Sequence, residues 1–213
     1  MSRPPLSPER VVDAASRVAD AAGLAGVSMR SVGRELGVEA MSLYHHVASK
    51  DALLDGLADW IFVRIETPTA GRPWRAQMEA RAHSARAVLA AHPWGLGLIE
   101  SRRRPGPANL RHHDAVLGCL RAAGFPVALA AHAFSVLDAY VYGFVLTEVN
   151  LPFQPGEAAE DFVDGLGLVM AEHPHLAEMV AEQVVGRDYA YGDEFDYGLA
   201  LVLDGLEARF ASG

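Results

Sequence analysis

Two short amphipathic stretches meet at Gly37, and this junction constrains the fold more than any other part of the chain. Ser28 precedes a stretch from Met29 to Leu36 whose apolar residues recur at helical spacing, and a glycine just past the last of them takes the left-handed conformation that ends a helix. A second short helix is expected over residues 39–46. Val32, Leu36 and Val38 supply the inner contacts of the pair, and Leu43 and Val47, four apart, face inward with Ala40. Met41 and His45 then point outward, flanked by Ser42 and Tyr44. A tight corner of two helices is the helix-turn-helix. Its outward face lacks long charged side chains, which suits a DNA groove better than bulk water: Met packs on thymine methyls, and hydroxyl and imidazole groups reach base edges and phosphates. On its own, the same pattern also fits a helical hairpin with no DNA role.

Helical spacing continues on both sides, with no two-residue alternation, so the chain is expected to be all-α. Ser7, Pro8 and Glu9 announce a first helix that runs to Ala22 and stops at Gly23. Val11, Val12, Ala15, Val18, Ala19 and Ala22 form its apolar face. Ser49 caps a fourth helix from Lys50 to about Arg64. The stretch 67–73, rich in Thr, Pro and Gly, is the one strong linker of this half. It divides the chain into a DNA-binding domain, 1–66, and a helical domain, 67–213. Beyond it, helices are expected at 74–92, 94–101, 108–123, 126–149, 157–173, 175–185 and 194–211. The segment 102–107 breaks the chain, and the loop 151–156 is expected to be mobile or to line a pocket.

Composition adds limits. About half the residues, 51%, are apolar, enough for a buried core. No uninterrupted apolar run approaches the length of a membrane helix, and the N-terminus has no apolar signal stretch, so a cytoplasmic protein with no membrane partner is expected. The net charge of −9 opposes DNA binding overall. Its distribution is better. Six basic residues (Arg3, Arg10, Arg17, Arg30, Arg34, Lys50) face five acidic ones in residues 1–50, leaving +1 there and −10 on the other 163 residues. Such a chain relies on a few well-placed cations. The single cysteine, Cys119, lies among Leu117, Gly118 and Leu120 and is expected to be buried and inert. No Gly-rich phosphate loop, G-x-S-x-G or zinc signature points to an enzyme.

The run Leu43-Tyr-His-His-Val47 followed by Ser49-Lys-Asp-Ala-Leu-Leu54 closely resembles the signature of the tetracycline-repressor (TetR) family. The first helix, the Gly23 stop and Leu36-Gly-Val38 extend the likeness over residues 7–66. The resemblance implies a homodimer on a double-stranded DNA operator. It assigns DNA contacts to Arg30, Ala40, Met41, Ser42, Tyr44 and His46, and a phosphate contact to Lys50, the chain's only lysine; Ser28 and the outward-facing His45 are expected to contact DNA beside them. A compact cation at a helix N-terminus, beside backbone that also attracts anions, suits that role. The second half is similar to the tetracycline-repressor branch in residues 74–92, in Gly124-Phe125 and in residues 135–146. It implies an all-helical ligand-binding and dimerisation domain. That branch's drug- and magnesium-contacting His, Asn, Phe and His fall on Glu66, Arg81, Ala85 and Ile99, none of which matches. Neither tetracycline nor magnesium is expected here, and no cofactor.

The helix at 126–149 is apolar almost all round, interrupted by His132, Ser135 and Asp138, and the helix at 194–211 repeats the theme. Both must be covered on several sides, by their own domain and by a partner copy. Asp138, a carboxylate in apolar surroundings, must be paired, hydrogen-bonded or protonated. It anchors a ligand amine or hydroxyl, or it binds His132 or a core arginine. Phe134, His83, Trp94 and Tyr142 are expected to line the same cavity. His112-His113 and His173-Pro-His175 lack metal-ligand spacing with a third donor, so no metal site is expected. Residues 102–104, three arginines, are read as a solvated or salt-bridged loop. The expected function is a ligand-responsive repressor, with a small-molecule-binding protein or an activator as the alternatives.

Overall fold

In the computed structural model, the described residues are 5–102, 104–151, 172–187 and 189–212, and among them every regular element is helical. The N-terminal unit holds α1 (Pro8–Gly26), α2 (Met29–Leu36), α3 (Ala40–Leu43) and α4 (Lys50–Arg64). Then come α5 (Trp74–Ala91), α6 (Trp94–Ser101), α7 (Pro107–Ala122), α8 (Val127–Glu148), α9 (Pro174–Gln183) and α10 (Glu194–Ala211), the last led in by a 3₁₀ turn at Tyr191–Asp193. The expected helix at 157–173 and the loop at 151–156 lie almost wholly outside the described residues.

Local chemistry sets the boundaries. The Ser7 hydroxyl caps α1 by accepting from the Arg10 N–H, and Pro8 occupies the first turn. Gly23, at φ 65°, puts a kink near the end of α1 where the sequence places its stop. Ser28 and Ser31 form a reciprocal capping box at the start of α2. At its end, Gly37 N–H donates to Arg34 O at 3.1 Å and Val38 N–H to Gly33 O at 2.9 Å, the paired bonds of a Schellman motif. Ser49 caps α4 through the Ala52 N–H.

Two hydrophobic cores result. The first packs Val11, Ala15, Val32, Leu43, Leu53 and Leu57, and it takes in Leu98 from α6. The second packs Ile61, Phe62, Met78, Leu89, Val116, Leu120, Leu137, Val141, Phe195 and Leu203. Helix α4 belongs to both, Leu53, Leu57 and Ala58 to the first and Ile61, Phe62 and the following Ile65 to the second. Cys119 is fully buried in the second core, and burial pushes its thiol pKa up, as an inert cysteine requires.

Polar clamps reinforce these joints. Asp59 on α4 caps α7 by accepting from the Ala108 and Asn109 N–H groups at 3.0 and 3.1 Å. Asp55 pairs with Arg102 at 3.0 Å. Asp20 on α1 accepts from Trp94 Nε1 at 2.6 Å and pairs with His92 Nδ1 at 2.7 Å, while Asp13 accepts from Trp60 Nε1 at 2.6 Å. By length and composition α8 is apolar enough to cross a membrane, a property that core helices share. Here its buried residues join α5, α7 and α10 in one core.

Candidate nucleic-acid interface and effector pocket

The corner of α2 and α3 is closed by a glycine that periodicity and capping signals do not single out. A methyl group on Gly33 would lie 2.9 Å from Val38 O and 3.3 Å from the Ala40 backbone, so only hydrogen lets the two helices approach this closely. Leu43 and Val47 are buried and Ala40 half-buried, which leaves Met41 (73% exposed) and Tyr44 (45%) on the outside with His45. Ser42 and His46 are half-buried between the two faces.

The helix expected over 39–46 is shorter. Regular α-helix spans Ala40–Leu43, and the chain then tightens, with Tyr44 N–H donating to Met41 O and His46 N–H to Leu43 O. These three-residue bonds are the usual way a short helix satisfies its last carbonyls. Arg30 and Lys50 are exposed and, among the described residues, carry no ion pair. Lys50 stands at the first position of α4, where the helix dipole repels a cation unless an anion is near. The Ser28 hydroxyl is half-buried and engaged with Ser31, so it shapes the start of α2.

In the C-terminal unit a cavity of about 520 Å³ opens between α4, α6, α7 and α8. Phe62, Ile99, Phe134, Ala139 and Tyr142 give it apolar walls; Asn109, His113, Ser135, Asp138 and Glu100 give it polar ones. Phe134, Asp138 and Tyr142 are therefore brought together, whereas two of the expected residues are elsewhere. His83 lies on the α10 side of α5, 3.3 Å from Asp196. Trp94 sits in the seam with α1, its indole N–H directed to Asp20. Helix α6 turns Ile99 and Glu100 to the cavity instead, and α5 contributes no residue to its lining.

Asp138 finds the core arginine: its carboxylate pairs with the Arg81 guanidinium, which is only 1% exposed. His132 is exposed and plays no part. Arg81 Nε also donates to His112 Nε2 at 3.0 Å. Burial above all, then Arg81 and His113, push the His112 pKa down to about 3, which keeps that ring neutral and able to accept. His113 is shifted in the same direction, chiefly by burial, with Asp138 opposing. Burial, then Asp138, pushes the Tyr142 phenol well above its usual value, so it stays protonated. His113 Nε2 and Asn109 Oδ1 are buried without a protein partner.

Sequence reasoning treats His112-His113 as a metal question and sets the pair aside. The signal it passes over is Asn109 and His113, four apart on one face of α7. Among the described residues, no group of three or more His, Cys, Asp or Glu side chains is placed to hold a metal. A guanidinium against the cavity wall also leaves that site unsuited to a divalent cation. Of the arginine loop, Arg102 is held by Asp55, and Arg103 lies outside the described residues.

A glycine-closed helix corner with an uncharged outward face, joined through one shared helix to a polar-lined cavity, defines a helix-turn-helix regulator with a small-molecule pocket. Residues 11–57 match the family of bacterial regulatory proteins of the tetR type, and residues 67–210 match the tetracyclin repressor-like C-terminal domain. The chain belongs to the TetR family of transcriptional regulators. It is 35% identical to the HTH-type transcriptional repressor DrrR1 of Streptomyces coeruleorubidus, across 98% of this chain and 80% of that one. It is 32% identical to the class A tetracycline repressor of transposon 1721 from Escherichia coli, covering 96% and 92% of the two chains. Among solved structures it is similar to the TetR-family protein ActR of Streptomyces coelicolor in complex with actinorhodin. That match has a TM-score of 0.77 at 28% identity, with 98% of each chain covered.

Proposed function

We propose that this regulator is a repressor that binds a palindromic operator as a homodimer and is released by a small-molecule effector held in the α4–α8 cavity. The observation that carries the reading is α4 itself. One rigid helix carries Leu53 and Leu57 in the reading head's core and Phe62 in the cavity wall, so displacement of Phe62 by a ligand tilts the head. Each subunit would present Met41, Ser42, Tyr44, His45 and His46 to a major groove, with Ala40 against a base methyl and Arg30 and Lys50 on phosphates. Two heads must span successive grooves, roughly 34–36 Å apart. A 100-fold loss of operator affinity needs about 2.7 kcal/mol of coupling, and the operator must weaken effector binding equally.

The dimer surface is proposed on α8 and α10, which pack together and still expose Val136, Leu146, Tyr197 and Leu201. The relative named DrrR1 is a repressor, and the ActR structure holds actinorhodin, which supports an effector-released repressor here. Tetracycline with magnesium is a poor effector candidate, because Arg81 occupies a contact position and is tied to Asp138. Such a protein would work in the cytoplasm, beside its DNA.

The test is a titration of DNA from upstream of the gene at fixed salt, with competitor DNA present. Saturable binding by the wild type, lost in folded Tyr44→Ala and Lys50→Ala variants, supports the reading. A folded dimer that selects no sequence from a random pool would refute it.

A further inference from the structure

Helix α4 belongs to both cores, and contacts strung along one helix resist rotation about its axis least. Two bodies hold a fixed angle when they also touch away from that axis. Leu98 of α6 enters the head's core in such a place, but apolar packing is non-directional and tolerates sliding. A directional contact has to come from polar groups.

Asp20 on α1 supplies it. One carboxylate oxygen, Oδ1, accepts from the Trp94 indole N–H at 2.6 Å and lies 2.7 Å from His92 Nδ1. A carboxylate offers no hydrogen, so Nδ1 is the His92 nitrogen that donates. His92 closes α5 and Trp94 opens α6, so this single oxygen grips both sides of the corner between them. The corner is stiff: Gly95 N–H donates to His92 O at 2.8 Å, and Pro93 fixes the backbone between. Behind it stands Trp60 of α4, edge-on to His92 with ring centroids 4.9 Å apart. Trp60 is pinned in turn, its N–H bonded to Asp13 at 2.6 Å and its ring 3.3 Å beneath the Arg64 guanidinium.

The grip reaches the reading helices through α1. Arg17, one turn from Asp20, pairs with Glu35 of α2 at 2.7 Å. Helices α2 and α3 are in turn locked together at Gly33. A shift of the corner against Asp20 therefore carries all three helices with it. Over the length of α1, 19 residues or about 28 Å, a swing of about 7° amounts to about 3.4 Å, the rise of one base pair.

We infer that Asp20 is the positioning residue that fixes the angle between the reading head and the C-terminal unit, and so the half-site spacing that the dimer accepts. It acts through Trp94 and His92; an anion has no contact of its own to make with phosphate. The inference rests on the reading of the chain as a dimeric operator-binding protein and adds to it a determinant of specificity remote from the bases.

The test compares the palindromic site that the full-length wild type selects from a random pool with the same site lengthened at its centre by one base pair. Salt is fixed. The wild type is expected to prefer the selected spacing by about 100-fold. Asp20→Ala and Trp94→Phe should each cut this ratio to about tenfold or less, and their combination should cut it no further, since both break one bond. Asp20→Asn, which keeps an acceptor oxygen, should hold the wild-type ratio. The Asp20 side chain is 36% exposed, so its variants are expected to fold, and urea unfolding of each sample checks this. Affinity that falls alike for both sites would mark a merely structural role and overturn the inference. So would a wild type indifferent to spacing, an unchanged ratio in Trp94→Phe, additive losses in the double variant, or Asp20→Asn as impaired as Asp20→Ala. Any of these, with specific binding by the wild type intact, leaves the repressor reading standing. A wild type that selects no site removes that reading and the inference with it.

Discussion

Arg81 on α5 holds Asp138 on α8 by an ion pair at the cavity wall, and through its Nε it holds His112 on α7 as well. One buried cation thus ties three helices together. Removing it strands a carboxylate and an imidazole in the core. Arg81→Met is expected to cost about 3–5 kcal/mol in urea unfolding, because a buried charge loses its partner. The double replacement Arg81→Met with Asp138→Leu should cost less than Arg81→Met alone. A double variant at least as unstable as the single one would show that the pair does not carry this coupling.

His112 makes the same cluster sensitive to acid. Its folded pKa is pushed from 6.5 down to about 3, so between those values the unfolded chain binds a proton that the folded chain refuses. Stability is full above pH 6.5 and falls as pH drops through that window, by about 1.4 kcal/mol per unit. At pH 5 the loss relative to pH 7 is about 2 kcal/mol from this residue. Unfolding free energies of His112→Gln should fall less between pH 7 and pH 5 than those of the wild type, and His113, shifted the same way, accounts for part of the slope that remains. An identical slope in variant and wild type would be the contrary result.

Gly33 gives a prediction for the reading head. A methyl group at this position would meet Val38 O at only 2.9 Å, so Gly33→Ala must push α2 and α3 apart. A loss of about 1–3 kcal/mol is expected from such overpacking. Operator affinity should drop further than that of Ser28→Ala, which loses a cap worth about 1 kcal/mol but leaves the corner closed.

Lys50 can be separated from the base-reading residues by salt. Lys50→Ala should weaken binding to all DNA sequences alike and lower the slope of log affinity against log salt by about one. Tyr44→Ala should change affinity with little effect on sequence-independent binding. Equal slopes for Lys50→Ala and wild type would place Lys50 away from phosphate.

Leu201 and Val136 test the assembly. They are 58% and 42% exposed on α10 and α8, so a charge there is tolerable in a lone subunit and disfavoured in an apolar interface. Sedimentation equilibrium of Leu201→Glu with Val136→Glu should give a folded monomer, and operator binding should fail with it.

Helix boundaries are legible in the residues because their causes are local. Ser7, Ser28 and Ser49 cap with their own side chains, Gly37 stops α2 and Gly23 kinks α1 through their own φ angles. The apolar spacing of Leu43 and Val47 likewise settles which way Met41 and Tyr44 face, since a helix of known start has a known face. Family membership follows from the same short stretch.

Partners far apart in sequence are a different matter. The sequence requires Asp138 to have a partner and leaves three kinds open; only the packing of α5 against α8 decides on Arg81, 57 residues away. Packing of α5 against α10 sends His83 to Asp196, and that of α6 against α1 sends Trp94 to Asp20, although residue type alone groups both with Asp138. Packing of α7 beside α4 and α8 turns Asn109 and His113 into the cavity, and the close approach of α3 to α2 makes Gly33 indispensable. Periodicity states that a side chain is on a buried face, and it carries no information about which other helix covers that face. That choice depends on how whole helices cross, and it is where this protein's pocket is made.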